Sequence, residues 1–241
     1  MGGIVNIMGL PVNIMTEKEY TGLMKSYVSN DNMNIMYMVS AETFQALSVN
    51  EKLLEGMKEA DLILPAERDL LLSIHGYKVK GIVNSYKYLL YLLRKESIFK
   101  KVYIIGNNDK NVEQLKELIL RQNEELNICG SYSVDAGASD ETIINDINSN
   151  EPDLLLITID SPMLEQWITE HRFKVFAKVC VGLGNITDKM IKENNSPPKW
   201  MLATGLDNIY FDIKEKKYFE NRKKTRIMQA LLAEYNNRDA K

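Results

Sequence analysis

The feature that most constrains the fold is an alternation of two periodicities. Short apolar runs recur along the chain: "NIMYMV" (Asn34 to Val39), "DLILP" (Asp61 to Pro65), "KVYIIG" (Lys101 to Gly106), "LNICGSY" (Leu126 to Tyr132), then residues 153–159 and 177–182. Between them lie stretches with apolar residues at helical spacing, over 16–29, from about Glu42 to Ala60, over 84–96, 139–148 and 161–171, and in "NVEQLKELILRQNE". Buried strands alternating with helices of this length build βαβ units, and right-handed crossovers between them give a mostly parallel sheet covered on both faces. Before this series, "IVNIMGLPV" (Ile4 to Val12) reads as a short strand or hairpin with Pro11 near an edge.

A chain of 241 residues fits one α/β domain with a small addition. The composition changes after about Pro197. Residues 214–226, "KEKKYFENRKKTR", carry seven Lys or Arg among two aromatics, and Leu231, Leu232 and Tyr235 give the following segment an apolar face. A boundary near residue 196 therefore separates a main domain, 1–196, from a basic helical appendage, 197–241. The appendage has three readings: a solvated face, a nucleic-acid patch, or an element lying on an anionic membrane surface through Lys216, Lys217, Arg222, Lys223, Lys224 and Arg226. The net charge of −3 supplies no general drive toward nucleic acid. Cys129 and Cys180 read as free thiols, and His75 and His171 are too few for a metal cluster. The opening "MGGIVNIMGLPVNIM" does not read as a signal peptide, and no apolar run reaches the roughly 18 residues of a membrane span. The expectation is a cytoplasmic protein whose membrane contact is peripheral. The Asn-Ile-Thr sequon at Asn185 has no meaning in that compartment.

Several residues sit where an open parallel sheet places its ligands, beyond the carboxyl ends of strands. Gly106 ends a strand, and the loop "GNNDKN" leads into a helix whose free N–H groups suit a diphosphate, or simply make a turn. No Walker motif or complete G-x-G-x-x-G is present, and "GLGNIT" at Gly182 falls short of one. Asp188 follows another strand; its carboxylate suits ribose hydroxyls or a uracil N–H, or the start of a helix. Ser161 and Pro162 read as an N-cap with proline at the first helical position, which leaves Glu165 only partly explained. Tyr132 closes its strand at the same end.

Five segments then occur in a telling order: "GLPVNIMTEKE", "VSAETFQAL", "ADLILP", "PDLLLITIDSPMLEQWI" and "CVGLGNITDKMIKENNSPPKWMLATGLDNIY". As an ordered set, from about Gly9 to Asn208, they resemble the WecG/TagA/CpsF glycosyltransferases. The resemblance implies a Rossmann-like domain with a membrane-binding C-terminal appendage. It also implies metal-independent, inverting transfer of a sugar such as N-acetylmannosamine from a UDP-sugar donor to a polyprenyl-diphosphate-linked acceptor in surface-polysaccharide synthesis. Ser40, Gly106, Tyr132, Glu165 and Asp188 are then substrate-binding candidates.

The departures concern the chemistry. An inverting transfer needs a base for the acceptor hydroxyl. The family's candidate is an Asp after the strand proline, where this chain has Ala66. The family's Thr and Asn are Met38 and Ser40; its Lys and Gln before Glu165 are Met163 and Leu164; its R-x-x-G-x-D pair is Lys78 and Val83. Glu67, or else Glu42, is the candidate replacement base. Two expectations stand side by side: a divergent transferase, or a non-catalytic member that binds or scaffolds with an active paralogue, with homo-oligomerisation open in either case.

Overall fold

A computed structural model describes residues 3–66, 70–71, 82–95, 98–194 and 226–236. It is a three-layer α/β structure built on one six-stranded parallel sheet. The strands are β3 (Asn34–Val39), β4 (Leu62–Pro65), β5 (Lys101–Gly106), β6 (Asn127–Ser133), β7 (Leu154–Ile157) and β8 (Val179–Gly182). They lie in the order β4-β3-β8-β7-β5-β6. Strands β3, β4, β7 and β8 are buried at every position, as uninterrupted apolar runs in a sheet covered on both faces must be.

Successive residues of β3 feed different cores. Met36 and Met38 enter one apolar cluster; Ile35, Tyr37 and Val39 enter the other. The first core is closed by α1 (Glu17–Ser29), α4 (Ser85–Lys95), α5 (Asp109–Gln122) and α8 (Ile186–Asn194), through residues such as Tyr20, Leu89, Leu115 and Met190. The second is closed by α2 (Ala41–Leu47), α3 (Glu51–Lys58), α6 (Asp140–Asn150) and α7 (Met163–His171), through Phe44, Met57, Ile147 and Ile168. A last helix, α9 (226–236), adds Met228 to this second core, with Leu231, Leu232 and Tyr235 packed against it.

Helix starts follow local chemistry. Thr16 and Ser40 form reciprocal caps with Glu19 and Thr43, and Asn50, Asn108 and Ser139 each accept the amide three residues on. Asn50 also explains a correction. The single helix expected from about Glu42 to Ala60 is two helices, because Asn50 takes an extended backbone and caps a new one, α3.

The N-terminal segment is a hairpin, β1 (Gly3–Ile7) against β2 (Leu10–Ile14). Its two turn residues, Met8 and Gly9, both have positive φ, which matches strand twist in a two-residue turn. Asn13 of this hairpin accepts the Ile63 amide at 3.0 Å, so the hairpin occupies the free edge of β4.

Candidate functional site

All six parallel strands end on one side, and Ser40, Gly106, Tyr132 and Asp188 lie at or beyond those ends. Strands β5 and β7 are neighbours, yet β5 leads through α5 on one face to β6, and β7 leads through α7 on the other face to β8. Diverging connections of this kind open a crevice beyond the strand ends.

The crevice is stitched together by side chains of its own loops. Gly106 closes β5, and a Cβ there would stand 2.6 Å from a Val112 methyl and 3.0 Å from the Thr158 hydroxyl. Glycine is what lets α5 start this close to the sheet. Asn107 accepts the Asp160 amide on its side chain at 3.2 Å and the Asp135 amide on its carbonyl at 3.2 Å, tying the β5, β6 and β7 loops together. Ser133 donates to Asp109 in the first turn of α5. Tyr132, half-buried on β6, accepts the Ala138 amide on its hydroxyl, so it shapes the 134–138 loop.

A second seam joins β3 and β8. Ser40 caps α2 and donates its hydroxyl to Asn185 at 3.4 Å. Gly182 makes room for the Tyr37 ring, which would lie 2.7 Å from an added Cβ, and Gly184 turns the chain with φ of +54°. Asp188 then lies exposed in the first turn of α8, where its charge favours the helix start. Glu42 is partly buried in the first turn of α2. Asn107 and Asn185 were not singled out from the sequence, because an asparagine at a strand–helix junction reads only as turn chemistry.

Glu165 is not at the surface of this crevice but beneath it, 1% exposed. One carboxylate oxygen accepts the Ser161 hydroxyl at 2.6 Å; the other has no hydrogen-bond partner. Burial pushes its pKa up, and the Ser161 and backbone hydrogen bonds oppose that only in part. Burial likewise raises the nearby Tyr37 hydroxyl, with Cys180 and Glu165 adding to the effect. This corrects the reading of Ser161 as a helix cap. Helix α7 starts at Met163 after a cis Ser161–Pro162 bond, with no side-chain cap, because the Ser161 hydroxyl is committed to Glu165.

Four of the positions that depart from the resemblance are packed as core. Met38, Ala66 and Val83 all belong to the first apolar cluster, and Leu164 belongs to the second. Ala66 directly follows β4, its amide donated to the Val39 carbonyl, and is 1% exposed. Met163 is exposed. Glu67, Lys78, His75 and the cations from Lys216 to Lys224 lie outside the described residues, and Arg226 is exposed at the start of α9. Among the described residues, no group of three or more His, Cys, Asp or Glu converges, and no helix is long and apolar enough to cross a membrane.

Comparison with known proteins agrees with this geometry. Proteins named N-acetylglucosaminyldiphosphoundecaprenol N-acetyl-beta-D-mannosaminyltransferase, from Staphylococcus aureus strains NCTC 8325 / PS 47, COL and MRSA252, are each similar to this chain. Each is 19% identical over 215 residues, spanning 86% of this chain and 83% of the relative. The profile of the glycosyl transferase WecG/TagA/CpsF family matches residues 5–237. With a match over nearly the whole chain and a parallel sheet whose loops converge at one end, this protein belongs to the WecG/TagA/CpsF glycosyltransferase family.

Proposed function

We propose that the protein transfers an N-acetylmannosamine-like sugar from a UDP-sugar to a polyprenyl-diphosphate-linked sugar, working peripherally at the inner face of the cell membrane. The observation that carries this reading is the family match over residues 5–237, laid on a crevice that holds Asp188 and the Gly106 loop, with Ser40 where the family has Asn. The relatives' printed name supplies the acceptor chemistry, a diphosphoundecaprenol-linked N-acetylglucosamine. In this reading the helix starts at Asp109 and Ile186 present amides to the diphosphate, and Asp188 accepts hydrogen bonds from the nucleoside. The proton from the acceptor hydroxyl goes to Glu67 or Glu42, since Ala66 has no group to accept it. No metal is invoked.

The test combines binding with turnover. Calorimetric titration with UDP is expected to show binding that Asp188→Ala weakens by about tenfold or more, the loss of a charge-assisted hydrogen bond. Transfer of labelled sugar to a diphosphoundecaprenol-linked acceptor is then expected from the purified chain. An absence of UDP binding at millimolar concentration would overturn the donor assignment.

A second reading has its own observation. Met38, Ala66 and Val83 do not merely lack polar groups; they are interior residues of one apolar cluster. A side chain that fills a core is held there by packing, and restoring a carboxyl would bury it without a partner. This favours a non-catalytic member that keeps the nucleotide end and serves an active paralogue. UDP binding without turnover, with turnover appearing only when such a paralogue is added, would support it. Turnover by the chain alone would sink it.

A further inference from the structure

Asn185 lies in the loop between β8 and α8, directly before Ile186. A side chain at that position ordinarily accepts a first-turn amide of the helix it precedes. Here the carboxamide oxygen instead accepts the Ser40 hydroxyl at 3.4 Å, across the seam between β8 and β3. Gly184, with φ of +54°, turns the chain immediately before it, a bend that a side chain would strain. The loop thus forgoes a local cap to hold Asn185 against an element 145 residues away.

The partners leave one group over. The Thr43 amide donates into the Ser40 oxygen, and the single proton of that hydroxyl goes to Asn185. Ser40 therefore has no hydrogen left to offer a substrate. The Asn185 carboxamide, with its oxygen turned to Ser40, turns its NH2 group the other way. Asn185 is exposed, and among the described residues no group accepts from that nitrogen. Position 40, where the resemblance has an asparagine, carries a serine that holds an asparagine of the facing loop in place.

We infer, on the basis of the transferase reading above, that Asn185 binds substrate in this crevice, its NH2 group donating to an oxygen of the donor's diphosphate, and that Ser40 is the residue that positions it. A diphosphate oxygen carries lone pairs and no proton, so it takes an N–H donor and repels a carboxylate. Asp188, three residues on, suits the hydroxyls of the nucleoside for the same reason. A hydrogen bond from a neutral amide to an ionised acceptor is charge-assisted, and a donor already fixed in direction loses little freedom on binding.

Calorimetric titration of the full chain with UDP tests both roles. Asn185→Ala is expected to raise the UDP dissociation constant about tenfold, the loss of a hydrogen bond to a charged group. Asn185→Asp keeps an oxygen for the Ser40 hydroxyl and puts an anion where the donor was, so it should bind UDP at least as weakly as the alanine variant. Ser40→Ala is expected to raise the constant about threefold, and the Ser40→Ala/Asn185→Ala double variant should bind like Asn185→Ala alone, because Ser40 acts through Asn185. Ser40→Ala also removes the α2 cap, but a purely structural loss of that kind would multiply with the Asn185 effect in the double variant. A wild type that binds UDP while both Asn185 variants bind it equally well would overturn the inference and leave the transferase reading standing, as would a double variant whose loss is the product of the two single losses. A wild type that does not bind UDP would remove the donor assignment, and the role of Asn185 with it.

Discussion

At the scale of single residues, Glu165 is the most unusual group in the molecule. Its ionised form would leave an unpartnered oxygen in an apolar setting, so burial favours the protonated acid. A folded-state pKa above the unfolded one means that the folded protein holds the proton more tightly. Its stabilising contribution is therefore fully present below the ordinary carboxylate range, and it is lost as pH rises through the folded value. Glu165→Gln keeps an acceptor for the Ser161 hydroxyl and cannot ionise. It is expected to melt higher than the wild type at pH 8, with the difference closing toward pH 4, in paired thermal melts across that range. A constant difference at all pH values would show that folding does not shift the carboxyl's pKa.

At the scale of elements, the loops depend on how closely helices approach strand ends. The contact between Gly106 and Val112 sets the start of α5 against β5 and so the width of the crevice. Gly106→Ala forces a methyl into that contact and is expected to cost about 1–3 kcal/mol of stability, the usual range for an overpacked interior. Val112→Ala in the same chain removes the closest atom, and denaturant titration of the double variant should recover part of the loss. The α6–α7 pair is tied in a comparable way, with Asp140 accepting the Trp167 indole N–H at 3.0 Å and lying 3.2 Å from His171.

At the scale of the molecule, α9 decides how the basic appendage should be tested. Met228 is 1% exposed within the second core, so deleting residues 197–241 would strip that core as well as the cations. Substituting Lys216, Lys217, Arg222, Lys223, Lys224 and Arg226 by Gln removes charge alone. Each near-surface cation contributes about 1 kcal/mol to binding an anionic bilayer, so the six-fold variant should lose partitioning by orders of magnitude. Cosedimentation with phosphatidylglycerol vesicles at low and high salt measures this. Equal, salt-independent binding of both proteins would remove the appendage from any membrane role.

The sequence by itself determined the layered architecture. Apolar runs such as "NIMYMV" and "KVYIIG" can only be buried strands, and the helical stretches between them force parallel pairing. It also placed Ser40, Gly106, Tyr132 and Asp188 at strand ends, because order along the chain fixes which end of a strand a loop leaves. The tertiary structure decided what order cannot carry. Strand sequence across the sheet, and hence the β5–β7 crevice, depends on which crossovers pack best. Asn107 and Asn185 matter through partners 53 and 145 residues away. Ser161 serves Glu165 instead of a helix end because the two are packed together in the interior. Met38, Ala66 and Val83 read singly as lost polar groups; only packing joins them in one apolar core, since burial belongs to the assembled neighbours and not to the residue.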